Sequence, residues 1–457
     1  MKNDDDELSA QLRRKHDPAT PPAVKADHWD GPSAISAAVH ESTRDIRAAA
    51  AAGCTCDVIA DYHAVGDGVT DDTAALQKAF DDCGKAAGCS TRVVILPAER
   101  QFLSFPLVLS DALRIEIREG STLLASTDLK QWPLRSEPMY GQMYQHFLSG
   151  RNLSAVSLAG GGTIDGQATN TTGSWWHNCT DSHGSGNPHC GKHHRPFLIH
   201  IFESSRVVIS NLTLTNAMMY HVVLDHSRHI ELDRLTILAP RGSPNTDGVD
   251  VHSTEWVHMH DCTVCNGDDA VAVATYDSTK RSGFVLVEDS TFCNGSHGAS
   301  IGSRDLGGVH NVTVRRVHFD RTENAARVKA VAGSAGSVAD ILYENITAFD
   351  VGHVLMIDAV YKSSGTEPRS VPHASDSQAN ITRVTFRNVV GRGNTGAGYF
   401  KCQASSPCTD VELEAIDIAT SVGQTEFVCE SAYGRAVSTI PHSCLKPDDA
   451  FNVNVNL

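Results

Sequence analysis

The strongest constraint on the fold is a repeated pattern of short apolar segments in the second half of the chain. Each segment has the order apolar-x-apolar-x-x-apolar, and the segments begin at Val207, Ile230, Val257, Val285, Val312, Ile341, Val384 and Val411. Their starts are separated by 23, 27, 28, 27, 29, 43 and 27 residues, and the interval of 43 contains a polar stretch that indicates an inserted loop. A period of this length without helical patterning indicates a solenoid built from strands.

The pattern favours one class of solenoid. Leucine-rich repeats have a similar period, but their L-x-x-L-x-L-x-x-N pattern is absent, and propeller blades need about 40–45 residues. We therefore predict an all-β fold, a single-stranded parallel β-helix in which inward-facing Val, Ile and Leu stack from coil to coil.

The chain divides into two parts. Residues 1–50 are charged and lack a strand pattern, so we expect a flexible amino-terminal tail, followed by one β-helix domain over residues 51–457. A short helix is predicted at Thr73–Cys83, because apolar residues recur there on one face and Thr70 or Asp72 can cap its start. The residues of that face are Ala75, Leu76, Ala79, Phe80 and Cys83. This helix is well placed to cap the amino-terminal end of the solenoid.

Charge restricts the possible partners. The formal net charge of −16 argues against binding to nucleic acid or to an anionic membrane, and no apolar run reaches the roughly 18 residues of a transmembrane helix. An anionic substrate therefore needs a local cluster of cations.

Cysteine content and glycosylation sequons indicate a secretory route. The chain has 13 cysteines and sequons at Asn152, Asn170, Asn178, Asn211, Asn294, Asn311, Asn345 and Asn380. Sequon-like strings also arise because Asn suits turns between strands. The first residues contain no apolar core of a signal peptide, so we expect a secreted protein whose signal is missing from this chain.

An odd number of cysteines leaves at least one thiol unpaired unless an intermolecular bridge forms. Neighbouring cysteines could close short loops, although the connectivity does not follow from sequence; these pairs are Cys83/Cys89, Cys179/Cys190, Cys402/Cys408 and Cys429/Cys444. The spacings do not form a zinc-binding pattern, and no metal site is expected.

Unusual polar groups recur just before the next repeat begins in five successive coils. They are Asp247, Asp268 with Asp269, His297, Arg327 with Lys329, and Tyr361. Each group alone is explained by a turn, a loop or a solvated face, and an aspartate pair can also bind calcium. Equal offsets in successive coils lie about 4.8 Å apart, so we expect these side chains to share one stripe of the solenoid.

Such a stripe suits an acidic sugar. Glycoside hydrolysis needs one carboxylic acid to protonate the leaving oxygen and one carboxylate to activate water or attack the sugar. Crowded carboxylates raise the pKa of at least one of them, so that it keeps a proton. The adjacent Arg and Lys can hold a substrate carboxylate.

Four ordered motifs, NTDGVD (245–250), GDDAV (267–271), GSHGASIGS (295–303) and RVK (327–329), resemble glycoside hydrolase family 28, the polygalacturonases. GDGVTDDTAALQKAF and GGGTIDG resemble the amino-terminal cap and early coils of that family. The resemblance covers roughly residues 56–445. It implies a right-handed β-helix and single-displacement, inverting hydrolysis of α-1,4 bonds between galacturonic acid units, without a cofactor.

The resemblance also implies roles for individual residues. Asp268 would be the general acid, and Asp247 and Asp269 would position and deprotonate water. His297 would set the protonation and hydrogen bonding of the acid. The galacturonate carboxylate would be held by Arg327 and Lys329, with Asn245 and Tyr361 as further substrate contacts. The expected partner is a pectic polysaccharide or its oligomers, bound by a monomer.

One position departs from the family pattern. A cysteine usually follows the aspartate pair in that family, but this chain has Ala270; our hypothesis is that Cys265 and Cys293, which flank the site, supply a substitute bridge. Polar insertions at 168–195 and 361–380 could close one end of a cleft. This slightly favours exo action, on chain ends, over endo action.

Other activities stay open from the sequence. Rhamnogalacturonan or xylogalacturonan hydrolysis is a close variant. A pectate lyase would use calcium-bound aspartates and a basic proton abstractor, and a non-catalytic carbohydrate-binding β-helix would not need the carboxylate, histidine and cation stripe.

Overall fold

A computed structural model of the chain describes most of its length. The described residues are 31–48, 53–86, 88–89, 91–137, 141–178, 189–190, 193–295, 297–302, 306–331, 334–361, 379–421 and 425–448. Within these ranges, no helix has both the length and the apolar character needed to cross a membrane.

Two large parallel sheets run along the molecule. The first, which we call the eleven-strand sheet, contains Leu107–Val108, Leu148–Arg151, Ile199–Phe202, Val222–Asp225, Val249–His252, Asp269–Ala274, His297–Ile301, Asn324–Val331, His353–Tyr361, Gly396–Lys401 and Val428–Glu430. Each of its strands pairs in parallel with the strand of the next coil.

The second, which we call the twenty-strand sheet, alternates with the first along the chain. It contains Cys54–Asp57, Asp67–Asp71, Arg92–Leu96, Gln101–Ser104, Arg114–Ile117, Thr122–Ala125, Ser154–Ala159, Thr163–Asp165, Ser205–Ser210, Thr213–Thr215, Arg228–Asp233, Thr236–Leu238, Glu255–His260, Thr263–Cys265, Ser282–Cys293, Val309–Asp320, Ser337–Phe349, Asn380–Asn394, Cys408–Thr420 and Ala432–Ile440. The chain thus passes from one sheet to the other and returns one coil further on, which makes a parallel β-helix.

The sequence repeat coincides with the register of the twenty-strand sheet. The repeat starts pair in an unbroken row, from Val207 with Ile230 through Val257, Val285 and Val312 to the last pair, Val384 with Val411. In the eleven-strand sheet, buried apolar residues form a matching inward row: Leu224, Val251, Val273, Ile301, Val328, Ile357 and Phe400. The matching register of successive coils therefore buries one continuous apolar core along the axis.

The predicted capping helix is present and extends over Thr73–Lys85. Its buried residues are Leu76, Ala79, Phe80 and Cys83, while Ala75 is partly buried on the same face. Asp72 precedes the helix but does not cap it with its side chain. Its carboxylate instead accepts hydrogen bonds from the backbone N–H groups of Val65 and Gly66, at 2.7 and 3.0 Å.

The predicted flexible tail differs from the structure at Pro32–Ala48, which forms a helix. We call it the outer helix, because it packs on the outside of the twenty-strand sheet. Ile35 and Val39 are fully buried against Leu286 and pack on Trp256. These apolar contacts, spaced four residues apart, explain why this segment is ordered.

Polar contacts also hold the outer helix. The buried hydroxyl of Thr43 donates to the Glu231 carboxylate at 2.8 Å, and Asp45 pairs with Arg206 at 2.5 Å. Residues 1–30 and 49–50 of the predicted tail lie outside the described residues.

A small third sheet and a short helix complete the fold. The sheet consists of Leu134–Glu137, Gly141–Tyr144, His189–Cys190 and His193–His194, and the helix is Trp175–Asn178.

The disulfides agree only in part with the close pairs considered from sequence. Cys402 pairs with Cys408, Cys429 with Cys444, and Cys265 with Cys293. Cys83 and Cys89 do not pair with each other, because each is bonded to an earlier strand, giving Cys56–Cys83 and Cys54–Cys89. The suggested Cys179/Cys190 pair falls outside the described residues, and among the rest Cys262 is a free, buried thiol.

Candidate active site

The sequence-predicted polar residues lie on successive strands of the eleven-strand sheet. Asp247 comes just before the strand Val249–His252, and Asp269 and His297 begin the two strands that follow. Asp269 and His297 are partners in register, and the N–H of Gly248 donates to the carbonyl of Asp269 at 2.9 Å. The strand order therefore brings Asp247, Asp269 and His297 together on neighbouring coils.

Asp268 and Asp269 converge although they are adjacent in sequence. Asp268 lies before the first residue of the strand, and its Oδ1 accepts a hydrogen bond from the backbone N–H of Asp269 at 3.0 Å. One carboxylate oxygen from each aspartate and one ring nitrogen of His297 all lie within 4.8 Å of one another. The break at the strand start thus lets both carboxylates reach one place, instead of pointing to opposite faces.

Asp269 is buried and surrounded by donors. Its Oδ2 lies 2.9 Å from Nζ of Lys329, and its Oδ1 accepts a hydrogen bond from the Ser300 hydroxyl. Burial alone would raise the pKa of Asp269, but the positive charges of Lys329, His297 and Arg327 hold that pKa well below its ordinary value. Asp269 is therefore ionised.

Asp268 has the opposite protonation preference. Burial, reinforced by the negative charge of Asp269, raises the pKa of Asp268 to about 7. Nδ2 of Asn245 donates to its Oδ2 at 3.3 Å. Neighbouring carboxyl groups whose pKa values are pushed apart are the usual arrangement for separate acid and base roles.

Asp247 also favours the protonated form. Burial raises its pKa well above the ordinary value, and the charges of Asp268 and Asp250 act in the same direction. Its Oδ1 has no hydrogen-bond partner among the described residues. Asp247 thus presents a buried oxygen whose hydrogen bond can be made by a group that enters the site.

His297 is oriented by its neighbour in the next coil. Nδ2 of Asn324 lies 2.7 Å from Nδ1 of His297, and the two residues are partners in register. This short contact holds the imidazole ring in one orientation. The positive charge of the ring helps to lower the pKa of Asp269.

Arg327, Lys329 and Tyr361 form the cationic side of the site. Arg327 and Lys329 project from the strand Asn324–Val331, and Tyr361 ends the next one. The guanidinium carbon of Arg327 is 4.7 Å from the centre of the Tyr361 ring, and Nζ of Lys329 is 5.3 Å from it. Nη1 of Arg327 is buried without a hydrogen-bond partner in the described part of the chain, which leaves it available to an anionic ligand.

Sequence reasoning missed several residues that support this site. Ser300 contacts Asp269, and Asn324 contacts His297. Oδ1 of Asp250 lies 3.4 Å from Nε2 of His252. Asp250 lies inside the NTDGVD motif, so its outward position in the strand could have been noticed. Arg195 follows an insertion outside the repeat and carries no periodic signal.

The donor set does not suit a calcium ion. Asp268, Asp269 and His297 are close enough to share a cation. Calcium, however, takes six to eight oxygen ligands, and both oxygens of Asp269 already face positive groups, Lys329 and Arg327, the latter with Nη1 at 4.0 Å from Oδ1.

Part of the small sheet covers the outer face of the eleven-strand sheet on one side of the aspartates. Met143 of that sheet packs in a fully buried cluster with Phe197, Met219 and Val223. Val223 is the partner in register of Asp250, which lies three residues beyond Asp247. The outer face of the eleven-strand sheet is therefore blocked one coil before the catalytic candidates.

Known proteins are similar to this chain in sequence and in fold. Residues 107–444 match the family described as "Glycosyl hydrolases family 28". A polygalacturonase of Juniperus ashei is 30% identical over 394 residues, which cover 84% of this chain and 72% of that protein. The Arabidopsis thaliana relative described as a probable polygalacturonase is 29% identical over 86% of this chain and 85% of its own length.

Solved structures confirm the predicted right-handed parallel β-helix. An exopolygalacturonase from Thermotoga maritima superposes with a TM-score of 0.70 at 19% identity, covering 88% of this chain and 96% of that one. A polygalacturonase from Erwinia carotovora gives a TM-score of 0.68 at 24% identity, over 85% of this chain and 98% of that one. Together with the family match, these findings show that the chain is a glycoside hydrolase and belongs to the glycosyl hydrolases of family 28.

Proposed function

We propose that this enzyme hydrolyses α-1,4-galacturonosyl bonds of polygalacturonate by a single displacement that inverts the anomeric carbon. The observation that carries the proposal is the convergence of two adjacent carboxyl groups with unlike surroundings: Asp269 contacts Nζ of Lys329 at 2.9 Å, which favours its ionised form, whereas burial raises the pKa of Asp268 to about 7. Inverting hydrolysis needs such a pair, one group to give a proton and one to take a proton from water.

In this proposal Asp268 protonates the leaving glycosidic oxygen. Asp269 removes a proton from the attacking water, since it is the ionised member of the group. Asp247, whose pKa is raised, receives a hydrogen bond from that water or donates one to it through its unpartnered Oδ1. His297, fixed by Asn324, tunes the charge around both aspartates.

The substrate is recognised by its carboxylate. Arg327 and Lys329 supply positive charge within a chain whose formal net charge is −16, and Nη1 of Arg327 has no hydrogen-bond partner among the residues that the structure describes. Tyr361 lies against both cations and provides an aromatic surface for a sugar ring. Asn245, which already contacts Asp268, is proposed as a further substrate contact.

We further propose exo action, from a chain end. The cluster of Met143, Phe197, Met219 and Val223 covers the outer face of the eleven-strand sheet next to Asp250, and this cover would stop a polymer from continuing along the sheet in that direction. A groove closed on one side admits a terminal unit, whereas an endo enzyme needs a groove open at both ends.

We also propose that the enzyme works outside the cell or in the cell wall. Five disulfides join described cysteines, and such bonds persist in oxidising compartments.

Product analysis tests this function. We expect the enzyme to release reducing ends from polygalacturonate, with galacturonate monomer from the first time point. Asp268→Asn should abolish turnover but still bind oligomers, while the exposed control Glu119→Gln should behave like wild type. A ladder of oligomers would reject exo action, and an ultraviolet-absorbing unsaturated product would indicate a lyase. Absence of new reducing ends and of any unsaturated product would reject the proposed function.

A further inference from the structure

Arg195 is a fully buried arginine next to the proposed general acid. It directly follows the small-sheet strand His193–His194, and none of its surface is exposed. Its Nη1 donates to the carbonyl oxygens of Met218 and Pro244, both at 2.8 Å. Its Nη2 donates to Oδ1 of Asn245 at 2.7 Å. The three acceptors hold the planar guanidinium in one orientation.

This contact fixes which way the Asn245 amide points. A guanidinium can only donate hydrogen bonds, so the amide atom that faces Arg195 must be the oxygen. The amide nitrogen is then turned to the other side, where it lies 3.3 Å from Oδ2 of Asp268. Arg195, Asn245 and Asp268 therefore form a chain of hydrogen bonds with a single possible direction.

The backbone of Asn245 supports the same arrangement. Its φ of 50° lies in the left-handed region, which asparagine tolerates better than most residues other than glycine. The residue before it, Pro244, supplies one of the carbonyl groups that hold Arg195. The turn that presents Asn245 is thus itself anchored by the arginine.

The charge of Arg195 is also placed to act on the site. A buried cation without a bonded carboxylate is unfavourable unless negative charge lies close by. Burial lowers the pKa of Arg195 to about 10, and the nearby Asp247 and Asp268 oppose that effect. The interaction is mutual, so Arg195 must favour the ionised form of Asp268 and keep its pKa from rising further.

We propose that Arg195 is a positioning residue, which locks the Asn245 amide with its nitrogen towards Asp268 and so aims the acid at the leaving oxygen. The same segment then both closes the groove, through the small sheet, and orients the acid, through Arg195. This inference rests on the proposed function insofar as Asp268 is taken as the general acid.

A double-mutant cycle tests whether Arg195 acts through Asn245. Arg195→Lys keeps the positive charge but loses the planar guanidinium that donates to several acceptors at once. Asn245→Gly removes the side-chain amide, and glycine tolerates the left-handed backbone conformation at this position. We expect Arg195→Lys to lower kcat by about 10- to 100-fold with KM within about threefold. The double variant should be no more than about twofold slower than the slower single variant. Arg383→Lys, whose arginine pairs with the exposed Asp340, is the matched control and should leave kcat unchanged.

Two outcomes of the cycle would overturn the inference. One is a double variant whose loss equals the product of the two single losses, and the other is a folded Arg195→Lys enzyme with the kcat of wild type. Thermal unfolding of each variant shows whether it is folded.

A second variant serves if the arginine substitution prevents folding. Asn245→Asp keeps an acceptor for Arg195 but turns an oxygen towards Asp268, so the basic limb of the pH profile of kcat/KM should move to higher pH by about one unit. An unmoved limb would contradict the inference.

A titration of Asp268 by carbon-13 NMR separates this inference from the proposed function, because it needs no turnover. Its signal is assigned by its loss in Asp268→Asn. We expect Arg195→Lys, or Asn245→Asp, to raise the pKa of Asp268 relative to wild type, because each variant weakens or removes the hydrogen bond from Asn245 that favours the ionised form of Asp268. An unchanged pKa would overturn the positioning role even in an active enzyme, whereas a raised pKa in an enzyme that does not cleave polygalacturonate would sink only the proposed function.

Discussion

Asp269 and Lys329 form a buried ion pair, with Oδ2 and Nζ 2.9 Å apart although 60 residues separate them in the sequence. Their strands, Asp269–Ala274 and Asn324–Val331, lie two coils apart in the β-helix, with the single strand His297–Ile301 between them. The long lysine side chain spans that gap. Because it keeps Asp269 ionised, the proton shared among the crowded carboxyl groups resides elsewhere, and Asp268 is the half-buried member able to deliver it.

Activity should depend on pH through Asp268. A general acid must be protonated, so we expect kcat/KM on oligogalacturonate to fall as pH rises through about 7, the raised pKa of Asp268. Below that pH activity should persist, because Asp269 stays ionised. Initial rates from pH 4 to 9, with unfolding followed in parallel, provide the measurement. A rate that is constant through neutral pH in a folded enzyme would exclude this assignment.

Removing the lysine should shift the balance between the two aspartates. In Lys329→Met, the buried Asp269 loses its closest cation, so its pKa should rise and its negative charge should be lost as pH falls. We expect kcat to decrease by about 100-fold or more, with the larger decrease at acid pH. Lys78→Met, at an exposed helix position paired with Asp82, is the control. Equal loss at all pH values would argue that Lys329 only binds substrate.

The free energy of unfolding should depend on pH because the pKa of Asp268 is raised in the folded state. The folded state binds more protons than the unfolded state between the ordinary pKa of an aspartate, 3.8, and the value of about 7 for Asp268. The contribution of Asp268 to the free energy of unfolding is therefore present at low pH and is lost as pH rises through that window. Asparagine does not titrate, so Asp268→Asn should gain stability relative to wild type at pH 7.5.

Thermal unfolding at two pH values measures this effect. We expect the melting temperature of Asp268→Asn to exceed that of wild type by roughly 2–4 °C at pH 7.5, and by less at pH 4.5. Glu119→Gln, an exposed position, should show no such difference. A variant that is less stable than wild type at pH 7.5 would mean that Asp268 is not kept protonated by its surroundings.

The outer helix should be separable from catalysis. Ile35→Ala leaves a cavity against Leu286 and should weaken the attachment of the helix by about 2–4 kcal/mol. Hydrogen exchange should then increase in residues 32–48 while kcat stays unchanged, because the helix packs on the twenty-strand sheet. His40→Ala, at an exposed position, is the control. Equal exchange in wild type and variant would contradict the packing role of Ile35.

The repeat made most of the fold predictable. Val207 and the other repeat starts are partners in register although the coils differ in length, so residues that precede successive repeat starts, such as Asp247, Asp269 and His297, come close together. Segments outside the repeat were harder. The outer helix has only a few apolar residues in a charged segment. Its position could not be predicted from them, because they pack against Trp256, which lies far away in the sequence.

Long-range partners were beyond the reach of local sequence patterns. Cys83 pairs with Cys56 and not with the nearby Cys89, because the capping helix lies against the first strands. Arg195 acts on Asn245, 50 residues away, from the end of an insertion that no repeat describes. In both cases the contact depends on how an irregular segment folds back onto the coils.

The stereochemistry of the first product tests the central claim most directly. Proton NMR of polygalacturonate, recorded immediately after the enzyme is added, distinguishes the anomers of released galacturonate before they equilibrate. We predict that monomeric β-galacturonate appears first and then mutarotates, since a single displacement at an α-linked unit inverts the anomeric carbon. Initial release of the α-anomer, or no release of galacturonate residues at all, would contradict the account.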